Sequence, residues 1–448
     1  MKRSLVLAGG GMRVAWQTGV VRALKEHGLD FQHIDGTSGG ILTAGMLLSG
    51  LEPGEMAARW SDLDVQDFSS PLPLREYLRG PWSLPGLGDA DGVIHKVFPH
   101  LGVDCEKIRA STVEGTFNVV DFVTKTCVAV PNTEVDDELL AAGMSLPLVM
   151  PPLRRDQRVW IDAVWVKDAN VTEALQRGAD EVWLVWCIGN SPYWGDGPLE
   201  QYVHMIEMSA NGALFAELDA ARAAGRQFRL HVVRPRHPLP LDSELYAGRI
   251  NTDTLVAMGY RDAWDYLDQA RPEGVAQDHT CTAMTEPAVG VRLSERIRGR
   301  VGEEELTLQV TANLPLEDRA SAGPVRVVGH VDYAPWGGRV PLASGRLEVA
   351  GSAMVYRARL RVDGQWADIE AVRELTDDEG LDAWADATTV GFSASTGEKG
   401  TLRLGPLDAA RALASAEPVG AHGGLDRAGA LARLGRTGLR RVLTTYGP

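Results

Sequence analysis

The stretch Gly36-Thr37-Ser38-Gly39-Gly40 holds a serine inside a glycine-flanked turn. A short apolar strand is expected just before it, at 31–34, and an apolar helix directly after it, at 41–48. Upstream lies a second glycine run, Gly9-Gly10-Gly11-Met12-Arg13, leaving the apolar run Leu5-Val6-Leu7. A helix is expected at 14–27, with Trp16, Val20, Val21 and Leu24 on one face and Gly28 as its stop. Further strands are expected at 116–122, 126–130, 159–161, 182–187 and 228–233. Strands that alternate with amphipathic helices predict an α/β fold, a mainly parallel central sheet with helices on both faces.

Size and composition set the limits of this reading. A chain of 448 residues has room for two or three domains, each with its own core. A formal net charge of -15 argues against a nucleic-acid partner, which would require clustered Lys and Arg. No apolar run approaches the roughly 18 to 20 residues of a membrane-spanning helix. The apolar start, Met1 to Ala8, is too short for a signal peptide and ends in glycines. Cys105, Cys127, Cys187 and Cys281 show no metal-ligand spacing. Cys127 and Cys187 lie in apolar strand-like runs, which favours buried thiols in a reducing, cytoplasmic setting over disulfides.

The α/β rhythm is expected to span residues 1–275. Within it, 62–102 is proline-rich, with Pro71, Pro73, Pro81 and Pro85 among Trp82, Leu84 and Leu87. This segment reads either as a loop-rich insertion or as an apolar lid over a site. Beyond about residue 276 the period changes to two. Leu306, Leu308 and Val310 alternate with polar residues, as do Met354, Tyr356, Ala358, Leu360 and Val362 with Arg357, Arg359 and Arg361. Asp363-Gly364 then reads as a hairpin turn. An antiparallel β accessory domain is expected over 276–405, and a basic amphipathic helical tail over 406–448. In the tail, Leu425, Leu431, Leu434, Leu439, Val442 and Leu443 fall among Arg427, Arg433, Arg436, Arg440 and Arg441. It reads as docking on the protein's own acidic surface or as peripheral contact with anionic membrane lipid. Gly435 and Gly438 predict a weakened helix there.

A serine hydroxyl is a poor nucleophile at neutral pH and needs both a base and donors for a developing oxyanion. A Gly-x-Ser-x-Gly turn between strand and helix forces the serine into a strained bend, with Oγ projecting from the sheet edge. The N–H of Gly39 and those of Gly9, Gly10 and Gly11 are candidate donors. A dinucleotide loop is the rival reading, but the run lacks the later glycine and the acidic ribose ligand of that fingerprint. For the base, His204, His231, His237 and His279 are available but none has a telling setting. Asp162 ends the strand at 159–161, where the loops of an α/β sheet converge. A carboxylate there is placed to take the Ser38 proton directly. Asp168 and Asp35 are fallback carboxylates, although Asp35 is expected to point away from Oγ.

The order Gly-Gly-Gly-x-Arg, Gly-x-Ser-x-Gly, then Asp at a strand end resembles the patatin-like phospholipase family. Three further segments are similar: 141–147 with Pro151-Pro152, Val171-Thr172-Glu173-Ala174-Leu175, and Arg177-Gly178-Ala179-Asp180. The resemblance covers about residues 1–270 and implies a three-layer acyl hydrolase of lipid esters with a Ser–Asp dyad, no metal and no cofactor. It implies phospholipase A, lysophospholipase or carboxylester lipase chemistry. Ser38 is then the nucleophile, Asp162 the base, and Gly9, Gly10, Gly11 and Gly39 the oxyanion donors, with Arg13 beside the loop to position an anion. One departure is clear. The family carries Asp-Gly-Gly or Asp-Gly-Ala at the base, and this chain carries Asp162-Ala163-Val164. If the glycine serves a positive φ, alanine and valine predict a reshaped Asp162 loop and weakened activity. A non-catalytic lipid- or protein-binding member is the alternative. The order of Val327-Val328-Gly329-His330-Val331, Gly345-Arg346-Leu347, Met354-Val355-Tyr356 and the run 382–389 is similar to β segments accompanying some bacterial cholesterol-oxidase-like flavoproteins. That similarity implies an accessory module used near sterols or other lipids.

Overall fold

Strand β1 (Arg3–Leu7) is covered on both faces, which is why it reads as an unbroken apolar run rather than an alternating one. It pairs in parallel with β2 (His33–Thr37) on one side and β7 (Glu181–Val185) on the other. β8 (Arg229–Val233) extends the sheet beyond β7, and β3 (Glu114–Asp121) extends it beyond β2, both in parallel. Three antiparallel strands complete it: β4 (Thr126–Pro131) on β3, and the hairpin of β5 (Leu153–Arg155) and β6 (Arg158–Asp162). The order is β5-β6-β3-β2-β1-β7-β8, with β4 off this path on β3. The expected mainly parallel α/β sheet is present.

Val6, Leu184 and Leu230 face Leu214 and Leu218 of the long helix Pro198–Ala223. Leu5 and Leu7 turn the opposite way, as alternate residues of a strand must. Helix α1 (Ala15–Glu26) packs along the helix Thr252–Leu267, and the fully buried Trp16 donates its Nε1–H to Asp262 at 2.8 Å. The structure, a computed structural model, describes all residues except 69, 73, 79–83, 85, 317–323, 351–352, 375–382 and 447–448. Pro73, Pro81, Trp82, Pro85 and Asp382 thus lie outside the described residues. Within 62–102 the described part consists of short helical turns, such as Val65–Phe68, Leu74–Tyr77 and Phe98–Leu101, joined by loops.

The chain forms two units, Met1–Thr285 and Glu286–Pro448. The second is antiparallel, as the period of two predicts. It runs β9 (Gly290–Val301), β10 (Glu304–Pro315), β11 (Val325–Tyr333), β12 (Gly338–Ala350), β13 (Ala353–Val362), β14 (Gln365–Glu374), β15 (Thr389–Ala394) and β16 (Lys399–Arg403). Each pairs with the next, β9 pairs with β10, and β16 returns to β9 at Gly400↔Val301. The sheet therefore closes as an eight-stranded barrel, and closure leaves no free edge among these strands. A short strand, β17 (Glu417–Val419), adds to the first residues of β9. Leu306, Leu308, Val310 and Leu360 form the core together with Tyr356.

The tail continues this unit. The helix Gly424–Tyr446 runs unbroken through Gly435 and Gly438, the two glycines expected to weaken it. Ala430 is fully buried, Leu434 packs against the barrel core and Arg427 pairs with Glu417. Tertiary packing of this kind outweighs the cost of about 1 kcal/mol that each helical glycine carries.

Candidate active site

Hydrogen bonding along β3 brings two distant stretches together. β2 pairs with β3 as far as Thr37↔Asn118, and β6 takes over at the next residue, with Asp162↔Val119. β4 occupies the opposite edge of β3 over the same residues, so β6 continues along the edge that β2 leaves. The residue after β2, Ser38, therefore meets the last residue of β6, Asp162. Ser38 Oγ donates to Asp162 Oδ2 at 2.6 Å across 124 residues of sequence.

Ser38 has φ 52, in the left-handed region that a non-glycine residue rarely occupies. This is the strained bend that the glycine-flanked turn predicts. Two close approaches hold it. A Cβ on Gly40 would stand 2.2 Å from the Leu7 carbonyl oxygen, and one on Gly39 would stand 2.4 Å from that of Gly11. The turn thus lies backbone to backbone against the Gly9–Gly11 loop. Helix α2 (Gly40–Leu48) starts beside Ser38 and directs its positive dipole end toward it.

The N–H groups of the loop divide into two sets. Gly9 donates to Asp168 Oδ1 at 2.9 Å, and Met12 to Asp242 Oδ1 at 3.1 Å. The N–H groups of Gly10, Gly11 and Gly39 have no hydrogen-bond partner among the described residues. Gly9 still borders the serine, since a Cβ there would stand 3.4 Å from Ser38 Oγ. Arg13 is buried and its Nε donates to the Gly10 carbonyl at 3.0 Å, so it braces the loop from within.

Asp162 is fully buried, and burial pushes its carboxyl up to about 7, against the opposing hydrogen bond from Ser38. Val164 N–H donates to the other oxygen, Oδ1, at 2.8 Å. Asp168 is pushed up to about 8 by burial and by the neighbouring Asp162 charge, and its Oδ2 is buried without a hydrogen bond. Asp35 accepts from Thr116 Oγ1 at 2.5 Å and Asn118 Nδ2 at 2.7 Å, away from Ser38 as expected. The histidines are engaged elsewhere. His204 meets Glu207, His231 stacks on Trp183 and bonds Tyr266, and His237 bonds the Thr285 carbonyl, while His279 is exposed.

Sequence reasoning missed the groups that brace these residues. Asn118 Nδ2 reaches Asp35 Oδ1 and Thr37 Oγ1, at 2.7 and 2.9 Å, and Asn118 Oδ1 accepts from Asn170 at 2.7 Å. This buried network lies beneath the serine turn. A lone asparagine inside an apolar strand was the only signal for it. Asp242 gave no signal, because it lies 230 residues from its partner Met12. Among the described residues no cluster of His, Cys, Asp or Glu is placed to hold a metal ion.

The family model for Patatin-like phospholipase matches residues 5–175, a span that contains the glycine loop, the serine turn and Asp162. Residues 5–175 form a patatin-like phospholipase domain. Lysophospholipase NTE1 from Lodderomyces elongisporus is 22% identical over 292 residues, which cover 58% of this chain and 19% of that protein. The chain thus spans about a fifth of the length of that curated relative. A solved structure, VipD from Legionella pneumophila, aligns with 60% of this chain and 67% of that one, at 12% identity and a TM-score of 0.33. The family match ends in the first unit and does not reach the barrel.

The expected reshaping of the Asp162 loop hinges on a positive φ at Ala163-Val164. Neither residue takes a positive φ, so neither pays the left-handed cost reserved for non-glycine residues. Both side chains are buried, and the Val164 N–H is one of the two hydrogen bonds that orient Asp162.

Proposed function

We propose that the protein is a serine acyl hydrolase of lipid esters, working through a Ser38–Asp162 dyad. The observation that carries this reading is the 2.6 Å hydrogen bond from Ser38 Oγ to a buried carboxylate, at a serine held in left-handed backbone. Ser38 Oγ attacks the ester carbonyl carbon as Asp162 Oδ2 takes its proton. The carbonyl oxygen becomes an oxyanion and is met by the N–H groups of Gly10, Gly11 and Gly39, the set left without partners. Gly9 shapes the loop instead of donating, since its N–H is already engaged by Asp168, and Arg13 braces the loop through Nε. The intermediate collapses, the leaving alkoxide takes the proton from Asp162, and an acyl-Ser38 ester remains. Asp162 then removes a proton from water as it attacks the acyl carbon, and on collapse Ser38 Oγ takes that proton back from Asp162, the acyl–Oγ bond breaks and the fatty acid is released. A lysophospholipid or a phospholipid is the proposed substrate, in keeping with the similarity to lysophospholipase NTE1 of Lodderomyces elongisporus.

A fluorophosphonate probe is expected to label the wild-type chain and not Ser38→Ala. Lysophospholipid turnover, read as free fatty acid, is expected to vanish in the same variant. Labelling or turnover that survives in folded Ser38→Ala protein would overturn the dyad.

A further inference from the structure

The loops beside Asp162 carry large apolar side chains out into solvent. Leu78, Leu87 and Leu148 are 80%, 71% and 69% exposed, and Val149, Val166 and Met205 are also exposed. These residues come from five stretches of sequence, yet hydrogen bonds and a ring contact tie the stretches together. Leu87 N–H donates to the carbonyls of Leu148 and Val149, at 3.0 and 3.1 Å. The Tyr77 hydroxyl, next to Leu78, donates to the Leu87 carbonyl at 3.0 Å. The Tyr202 hydroxyl donates to the Pro147 carbonyl at 2.6 Å, and the Tyr202 ring meets that of Trp165 edge-on at 5.7 Å. Met205 lies one turn along the helix from Tyr202, on the same side.

This ring of loops borders the dyad. Asp162 N–H donates to the Ser145 carbonyl at 3.3 Å, three residues before Leu148, and Val166 closes the turn that follows Asp162. Leu148 also has φ 71, so a bulky residue is held in left-handed backbone with its side chain in water. Strain combined with apolar exposure is doubly unfavourable in solution, and burial of that leucine on a partner removes one of the two costs.

We propose that this apolar rim is the face on which the protein settles on an aggregated zwitterionic lipid surface, so that a lipid ester passes from the surface to Ser38 without crossing water. The proposal rests on the acyl-hydrolase reading for its direction of substrate entry. The occupant follows from chemistry. The projecting side chains are uncharged and apolar, and the chain as a whole carries a net charge of -15, so anionic headgroups are disfavoured. Insertion of leucine, valine and methionine below the headgroups of a neutral bilayer meets both conditions. The basic helix Gly424–Tyr446 is not needed for this contact.

The test uses the full chain with phosphatidylcholine vesicles and the double variant Leu87→Asp/Leu148→Asp. Aspartate tolerates left-handed backbone better than leucine, so the fold is expected to survive at position 148. Wild type is expected to co-float with the vesicles, with little change between low and high salt. The variant is expected to lose vesicle binding and vesicle hydrolysis by at least about tenfold. Its turnover of a dissolved short-chain p-nitrophenyl ester, dependent on Ser38, is expected to match wild type. Unchanged vesicle binding in the variant overturns the proposal and leaves the rim to a protein partner. Binding that appears only on anionic vesicles and disappears with salt overturns it in favour of an electrostatic contact. An equal loss on the dissolved ester overturns it by placing the two leucines in the catalytic machinery. Vesicle flotation is read without turnover, so failure of the hydrolase reading alone leaves the rim measurable.

Discussion

A carboxylate can accept the proton of Ser38 only while it is ionised, and burial of Asp162 works against ionisation. Its carboxyl is pushed up to about 7, so below that pH the free enzyme holds it protonated and the serine lacks a base. The sign is fixed by the role: kcat/KM on a dissolved ester is expected to rise as pH climbs through about 7 and then level off. An acid limb of this kind reports the free enzyme, and a profile flat across neutrality would remove Asp162 from the mechanism. Asp162→Asn keeps the shape of the side chain and retains an oxygen for the Val164 N–H, but cannot take the proton. It is expected to lower kcat by roughly 10² to 10⁴-fold with an unchanged far-ultraviolet dichroism spectrum. Asp168 is a useful contrast. It is as buried as Asp162, but its hydrogen bond goes to the Gly9 N–H, so its charge is not on the proton path.

At the scale of elements, the site depends on how closely α2 approaches β1. The Leu7 carbonyl lies 2.2 Å from where a Cβ on Gly40 would stand, and neither the strand nor the helix can yield without moving the serine. Gly40→Ala is therefore expected to destabilise the fold by roughly 1–3 kcal/mol and to abolish fluorophosphonate labelling of Ser38. Gly54→Ala is the matched control, since its Cβ would meet nothing within 4 Å, and stability there is expected to hold or rise by roughly 0.5–1 kcal/mol. Equal losses in urea unfolding for the two variants would show that close approach is not the cause. The same geometry explains what the sequence made legible. The β1 run, the serine turn and Asp162 at a strand end are local signals, readable from apolar runs and glycines. β2 was harder, because it extends through Gly36 and Thr37 by backbone pairing alone, with Leu7↔Gly36 and Thr37↔Asn118. The handover from β2 to β6 along β3, the Asn118 network and the Asp242 brace depend on distant partners and leave no periodic trace. In the barrel the alternation was legible, but the return of β16 to β9 was not, because closure is a property of all eight strands.

At the scale of the whole molecule, the second unit carries its own test of how a closed barrel tolerates charge. Glu295 on β9 accepts two hydrogen bonds from Arg373 on β14, at 2.9 and 3.2 Å, and one from the Tyr356 hydroxyl on β13 at 3.0 Å. β9 is not hydrogen-bonded to β13 or β14, so this bar spans strands that the ladders do not join. The Arg373 and Glu295 side chains are only 7% and 11% exposed, which leaves neither charge with water as a substitute partner. Glu295→Leu removes the carboxylate and strands both a guanidinium and a phenol inside the wall. It is expected to destabilise the barrel by roughly 3–5 kcal/mol, read in urea unfolding followed by tryptophan fluorescence. Retained labelling of Ser38 in the same samples checks that the first unit, Met1–Thr285, stays folded. Glu295→Leu/Arg373→Met removes both charges, and is expected to recover most of the loss because no unpaired ion remains. The Tyr356 hydroxyl would still lack its acceptor, at a cost of roughly 1–3 kcal/mol, and a further Tyr356→Phe is expected to return that remainder. If the single and double variants lose the same stability, the damage comes from the missing glutamate's packing and not from a stranded charge.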